Sequence, residues 1–305
     1  MVLNVTNLGN PSTVGSVEAM YPHCSGAVMN RLLTAFAIVA LVLPVPALGA
    51  QESDEEWLED CRDGWKDDWR SRARHCEIRE FGLKPTKGPL SVEPGINGGV
   101  EIIGWDRDSI AVTARIQVQA RTRDDAEAIA RDLKIETTGG VVRVTGARGD
   151  YGRRQNWGVN FVVRVPRRTD LTLSTENGPL SVSDVSGRMD LQTHNGPLSL
   201  SGVGGDVHAS AQNGPLMVEL LGKKWEGTGL DAETRNGPAD LLIPDNYNAK
   251  IEFGTVNGPM EVGFPMTVTI NGRVKDRIST TLGNGGPPIR VVTTNGPMTV
   301  RRGGI

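Results

Sequence analysis

The sequence predicts an all-β chain: a parallel β-solenoid of about seven short coils, begun or capped by an N-terminal strand–helix–strand region. Three observations predict it. The tripeptide Asn-Gly-Pro recurs at Asn177, Asn195, Asn213, Asn236, Asn257 and Asn295, with intervals of 18, 18, 23, 21 and 38 residues. Apolar residues alternate with polar ones on both sides of that tripeptide, the mark of two half-buried strands per repeat. The 305 residues include 38 Gly but only 5% aromatics, which suits many short strands and tight turns.

The chain opens with a leader over residues 1–50. Arg31 precedes an apolar run at 32–43, and Pro44 to Ala50 supplies small residues for cleavage, as a secretory signal peptide requires. The run is too short for a stable membrane span, which needs about 20 apolar residues. Residues 1–28 hold no Lys or Arg, so translation is expected to start at Met29 or Met20 rather than Met1. Export places Cys61 and Cys76 in an oxidising compartment, where they are expected to pair as a disulfide. Periplasm or cell surface is the expected location.

Residues 51–80 form a charged, Trp-rich arm. Trp57, Cys61, Trp65 and Trp69 fall at four-residue spacing, one face of a short helix. That face is either a docking patch or the underside of an arm laid on the main domain. Residues 81–302 form the solenoid domain, of which 81–166 are its strand and helix cap. Ile110 to Gln119 alternates as a long strand with one buried face. Thr122 starts a capped helix whose Ala126, Ile129, Ala130 and Leu133 share one face. Val141 to Val144 and Val159 to Val165 return to strands, and Pro166 ends the last one.

The coils occupy 171–302. Six positions before each Asn stand Leu171, Met189, Val207, Leu230, Ile251 and Ile289. Five positions after it stand Val182, Leu200, Val218, Leu241, Val262 and Val300. These columns point inward. Asn and Gly are read as supplying a left-handed corner, and stacked Asn side chains are candidates for bonding from coil to coil. Gly283 to Pro287 reads as a degenerate corner. At about 4.8 Å per coil the rod is roughly 34 Å long.

The outward column five before the Asn reads Thr172, Asp190, His208, Asp231, Glu252, Arg290 in chain order. Asp190, His208, Asp231 and Glu252 are the residue types of a cation site or a hydrolytic pair, and also of an ordinary solvated face. Trp225 and Tyr247 fall in the two longer corner loops, as a sugar platform or as cover for a widened corner. No catalytic constellation, cofactor motif or zinc pattern stands out. Net charge of −3, from 33 Lys+Arg and 36 Asp+Glu, argues against a nucleic-acid partner.

Glu93-Pro-Gly-Ile-Asn-Gly-Gly99, the stretch 100–145, the serial Asn-Gly coils, and Leu282-Gly-Asn-Gly-Gly286 before Thr294-Asn-Gly296 together resemble the bacterial "putative adhesin" domain family. The resemblance covers about residues 80–302. It implies a β-solenoid, an extracytoplasmic location and no catalytic residues. The reading is an exported, non-enzymatic, adhesin-like binding or structural module, with an envelope polymer or protein as partner. The alternatives are a polysaccharide-acting β-helix enzyme and an envelope scaffold or stress-signalling protein that docks through residues 51–80.

Overall fold

The computed structural model describes residues 2–4, 53–63, 73–146, 155–265, 267–269 and 277–303. The apolar run at 32–43, Trp65 and Trp69 lie outside these residues. Strand β1 (Val2–Asn4) pairs antiparallel with β19 (Thr267–Thr269) as a separate two-stranded ribbon.

The other described strands form two ten-stranded sheets. Each coil gives one strand to each sheet, on either side of its corner. The coils are β3 (Leu90–Glu93) with β4 (Val100–Trp105), β9 (Leu171–Asn177) with β10 (Leu180–Ser183), and β11 (Ser186–Asn195) with β12 (Leu198–Ser201). Then come β13 (Gly204–Asn213) with β14 (Leu216–Glu219), β15 (Gly227–Asn236) with β16 (Ala239–Pro244), β17 (Ala249–Asn257) with β18 (Met260–Val262), and β21 (Pro288–Asn295) with β22 (Met298–Gly303). Neighbouring coils pair in parallel, residue type on residue type: Leu171 opposite Met189, Met189 opposite Val207, Val207 opposite Leu230. The repeat lengthens from 18 to 23 residues in the longer connection between Glu219 and Gly227, together with a one-residue register shift between Gly205 and Asp206. The predicted inward columns are the core, with Leu171, Met189, Leu191, Leu198 and Phe253 among its fully buried side chains.

The cap is continuous with the rod. Strands β8 (Asn156–Pro166), β5 (Ile110–Ala120) and β2 (Ala73–Leu83) extend one sheet beyond β4. Strands β7 (Val141–Thr145) and β6 (Lys134–Thr138) extend the other beyond β3. Helix α2 (Arg123–Asp132) is capped by Thr122, whose hydroxyl accepts from the Asp125 amide at 3.1 Å, and it buries Ala126, Ile129 and Ala130. Helix α1 (Asp54–Asp63) is tied to β2 by the Cys61–Cys76 disulfide, with a Cα separation of 6.3 Å.

Three features differ from the sequence reading. The first coil has its own corner, Asn97-Gly98-Gly99, and Asn97 bridges to Asn177 in parallel. Gly283 to Pro287 is not a stacked corner. It is the turn joining β20 (Arg277–Leu282) to β21, and β20 runs antiparallel along β17. The last coil in the chain is also not the last in space. Strands β21 and β22 lie between β15/β16 and β17/β18, so the spatial order of corners is Asn97, Asn177, Asn195, Asn213, Asn236, Asn295, Asn257.

Candidate functional site

The corners form one continuous amide ladder. Asn257 Nδ2 donates to Asn295 Oδ1, Asn295 to Asn236, Asn236 to Asn213, Asn213 to Asn195, Asn195 to Asn177, and Asn177 to Asn97. The six distances run from 2.8 to 3.3 Å, and every carboxamide points its dipole the same way along the rod. The corner asparagines are not left-handed. Among described non-glycine residues, only Asp184 and Asn246 have positive φ, both 58°. The asparagines stand there for their side chains, whereas the glycines stand there for space. A Cβ on Gly214 would come within 2.0 Å of the Gly196 carbonyl oxygen, and one on Gly237 within 2.1 Å of that of Gly214.

A second ladder runs inside the first. Thr193 donates its hydroxyl to the Gly178 carbonyl at 3.3 Å. Thr234 donates to Gly214, Thr293 to Gly237 and Thr255 to Gly296, each at 2.8 Å. These buried hydroxyls bond to the preceding coil in space rather than in sequence, as the intercalated terminal coil requires.

That intercalation reorganises the outward column. Arg290 stands between Asp231 and Glu252, opposite both in register. Its guanidinium bonds to Asp231 and lies 3.3 Å from Glu233 and 3.6 Å from Glu252. Arg277 reaches Glu252 at 3.5 Å from the other side. Burial alone would lower the Arg290 pKa, but the bonds and charges of Asp231 and Glu233 outweigh it and hold it above the ordinary value. On the next two coils, His208 lies 3.9 Å from Asp206, and Asp190 accepts from Gln192 at 3.1 Å. The structure therefore sets Asp190, His208 and Asp231 side by side on adjacent coils, as the column predicts, and separates Glu252 from them by Arg290. Among the described residues, no three His, Cys, Asp or Glu are placed to hold a metal.

Trp225 and Tyr247 present no platform, since each is only 3% exposed. The Trp225 indole donates to the Gly205 carbonyl at 3.0 Å, closing the widened corner where the register shifts. Burial, with the nearby Glu226 charge, pushes the Tyr247 phenol up to about 12. On the arm, Trp57 packs its ring 5.7 Å from the Arg115 guanidinium, and Asp54 pairs with Arg115 at 2.9 Å, so this helix lies on the sheet.

One cluster escaped the sequence reading. Where the ladder starts, Asn97 and Asn177 meet Gln117 and Gln119 of β5 and Asn156 and Asn160 of β8 around a cleft. The only sequence signal was that these polar residues occupy the outward positions of two alternating strands.

The family model for the Toastrack domain, DUF4097, matches residues 84–301. A comparison with curated proteins returned no match. Solved structures similar to this chain include a putative cell adhesion protein from Clostridium sporogenes, with 10% identity, a TM-score of 0.42, and coverage of 76% of this chain and 100% of that one. A putative adhesin from Bacteroides fragilis has 12% identity, a TM-score of 0.25, and coverage of 75% and 97%. A putative lipid binding protein from Parabacteroides distasonis has 11% identity, a TM-score of 0.26, and coverage of 74% and 96%.

Proposed function

The chain belongs to the Toastrack DUF4097 family, and from that premise we propose that it is an exported, non-enzymatic binding or structural module of the cell envelope. One observation carries the reading. The carboxylates best placed for chemistry, Asp231, Glu233 and Glu252, are held by Arg290 and Arg277, so they brace the rod. A polysaccharide-cleaving site would need carboxylates free to exchange protons across a cleft. The Cys61–Cys76 bridge supports an oxidising compartment. Among the described residues, no helix is long and apolar enough to cross a membrane.

The test is fractionation of cells that express the full chain, with N-terminal sequencing of the recovered protein. The expected product lies outside the cytoplasm and starts near Gln51. Recovery from the cytoplasm with free thiols at Cys61 and Cys76 would overturn the export reading. Release of new reducing ends from an envelope polysaccharide by the purified protein would overturn the non-enzymatic one.

A further inference from the structure

The amide ladder ends in a cleft of about 220 Å³ on the outward face of the cap. Six carboxamides line it: Asn97, Gln117, Gln119, Asn156, Asn160 and Asn177. The rest of the lining is three glycines, Trp157 and Pro179, and no lining residue is ionisable. Antiparallel pairing brings this set together, placing Gln117 opposite Gly158 and Gln119 opposite Asn156. Gly158 keeps the floor low: a Cβ there would come within 2.9 Å of the Asn97 carbonyl oxygen. On the other side of Gln117, its register partner is Cys76, so the disulfide fixes the neighbouring strand.

The protein fixes how several of these amides face. The Gly99 amide donates to Asn160 Oδ1 at 2.7 Å, which leaves the Asn160 NH2 as a free donor. Asn97 Nδ2 lies 3.4 Å from both Asn156 Oδ1 and the Trp157 carbonyl, which sets the Asn156 amide in the same sense. Gln117 and Gln119 are half-buried and make no hydrogen bond to other described residues. Each offers a donor and an acceptor side by side. The Trp157 ring packs with the core, against Gly95 and Val144, and only its backbone serves the cleft.

The chemistry of the walls selects the ligand. No residue lining the cleft carries a charge to balance that of a phosphate, a carboxylate or a metal ion, which favours a neutral ligand. It is a sheet face rather than an edge, so an added peptide strand finds no backbone to pair with. It has no aromatic face for a base. Amides that each present a donor beside an acceptor match a vicinal diol, in which each hydroxyl both gives and takes a hydrogen bond. We propose that this cleft binds a neutral, hydroxyl-rich saccharide segment of a polymer, a proposal that rests on the binding-module reading. Each site exchanges bonds with water for bonds with sugar and so binds weakly. Many copies on one polymer would multiply the grip.

The test is affinity electrophoresis of the full chain through gels containing dextran, laminarin or mannan, with alginate and dextran sulfate as anionic polymers. At least one neutral glycan is expected to retard the protein. The double variant Gln117→Ala/Gln119→Ala, and separately the isosteric Asn160→Asp, are expected to bind about tenfold more weakly at an unchanged melting midpoint. Gln192→Ala, on the other sheet, is expected to bind as the parent does. Retardation by the anionic polymers alone, or by none, would overturn the proposal. So would neutral-glycan binding that both cleft variants retain, which would leave the module reading standing with its site elsewhere. Depolymerisation of a retarding glycan would instead sink the non-enzymatic reading.

Discussion

Replacing Arg290 with Met removes one cation, strands Asp231 and Glu233, and leaves Glu252 with Arg277 alone. The side chain is 25% exposed, against 49% for Asp231, 57% for Glu233 and 37% for Glu252, so each pair is a partly screened surface interaction. Such pairs contribute about 0.2–1 kcal/mol each, so three lost together cost about 1–2 kcal/mol. The carboxylates left behind, Asp231 and Glu233 on one strand and Glu252 on the far side of the Arg290 coil, repel one another and add modestly to the loss. For a body of this size, about 1 kcal/mol moves the melting midpoint by roughly 2–4 °C. Arg290→Met is therefore expected to melt about 3–8 °C below the parent in low salt. Both the lost attraction and the new repulsion are screened, so the gap should narrow towards zero at about 1 M salt, where the Debye length is about 3 Å. Arg188→Met, at an exposed position of β11, is the control and should move little. Calorimetry at two salt concentrations checks this. Equal midpoints for parent and Arg290→Met in low salt, or a gap that salt does not narrow, would refute the assignment of Arg290 as the ionic keystone of the terminal coil.

Three further outcomes follow from the ladders and the buried phenol. Asn213→Ala removes two ladder bonds and Asn257→Ala one, so urea unfolding should show losses of about 1–2 and about 0.5–1 kcal/mol respectively; equal losses would show that the amides do not act as a chain. Ala211 occupies the column where Thr193 and Thr234 donate to the glycine carbonyl of the preceding coil. Ala211→Thr should supply the missing bond to Gly196 and gain about 0.5–1 kcal/mol in the same assay, whereas a loss would mean that the corner has no room for the extra atoms. The Tyr247 phenol stays neutral to about pH 12 in the folded chain, while an unfolded tyrosine ionises near 10. The unfolded state sheds its proton first, so the contribution is intact below about pH 10 and is lost as pH rises towards 12. Stability titrated by denaturant should fall over that window in the parent and less in Tyr247→Phe; parallel curves would contradict the assignment.

Much of the fold was legible because each coil repeats the same solution. Leu, Met, Val and Ile at fixed distances from an Asn-Gly corner define two strands and their register without any long-range information. Helix α2 was legible from Thr122 and the spacing of Ala126, Ile129, Ala130 and Leu133. The role of the corner asparagine was only half legible, because residue type does not distinguish a left-handed backbone from a bonded side chain. The first coil was missed because Gly99 stands where the later corners carry Pro, and 80 residues separate Asn97 from Asn177. The order of coils was not legible at all, since every coil offers its neighbours the same inward columns. The one local cue was charge: Arg290 is the basic member of a column otherwise rich in acids. The candidate cleft was illegible for a related reason, since two strands 37 residues apart meet there only by antiparallel pairing, as between Gln119 and Asn156.

Intercalation also bears on why the stack has a definite length. A pile of parallel coils exposes unpaired backbone at both ends and invites a second copy to continue it. If the chain simply stopped after its last coil, β21 and β22 would be those ends. Instead the chain doubles back. Strand β20 runs antiparallel along the outside of β17, so the next parallel coil meets a strand of the wrong direction. In the other sheet the outermost strand is β18, three residues long and bracketed by Pro259 and Pro265, a short edge that offers few amides. At the opposite end β2 carries Arg74, Glu77, Arg79 and Glu80 along its length, and α1 is stapled to it through Cys76. Placing the terminal coil inside the stack thus frees the preceding segment to serve as the lid, and the Asp231–Arg290–Glu252 contacts reward that order over the sequential one, which would set Asp231 directly against Glu252.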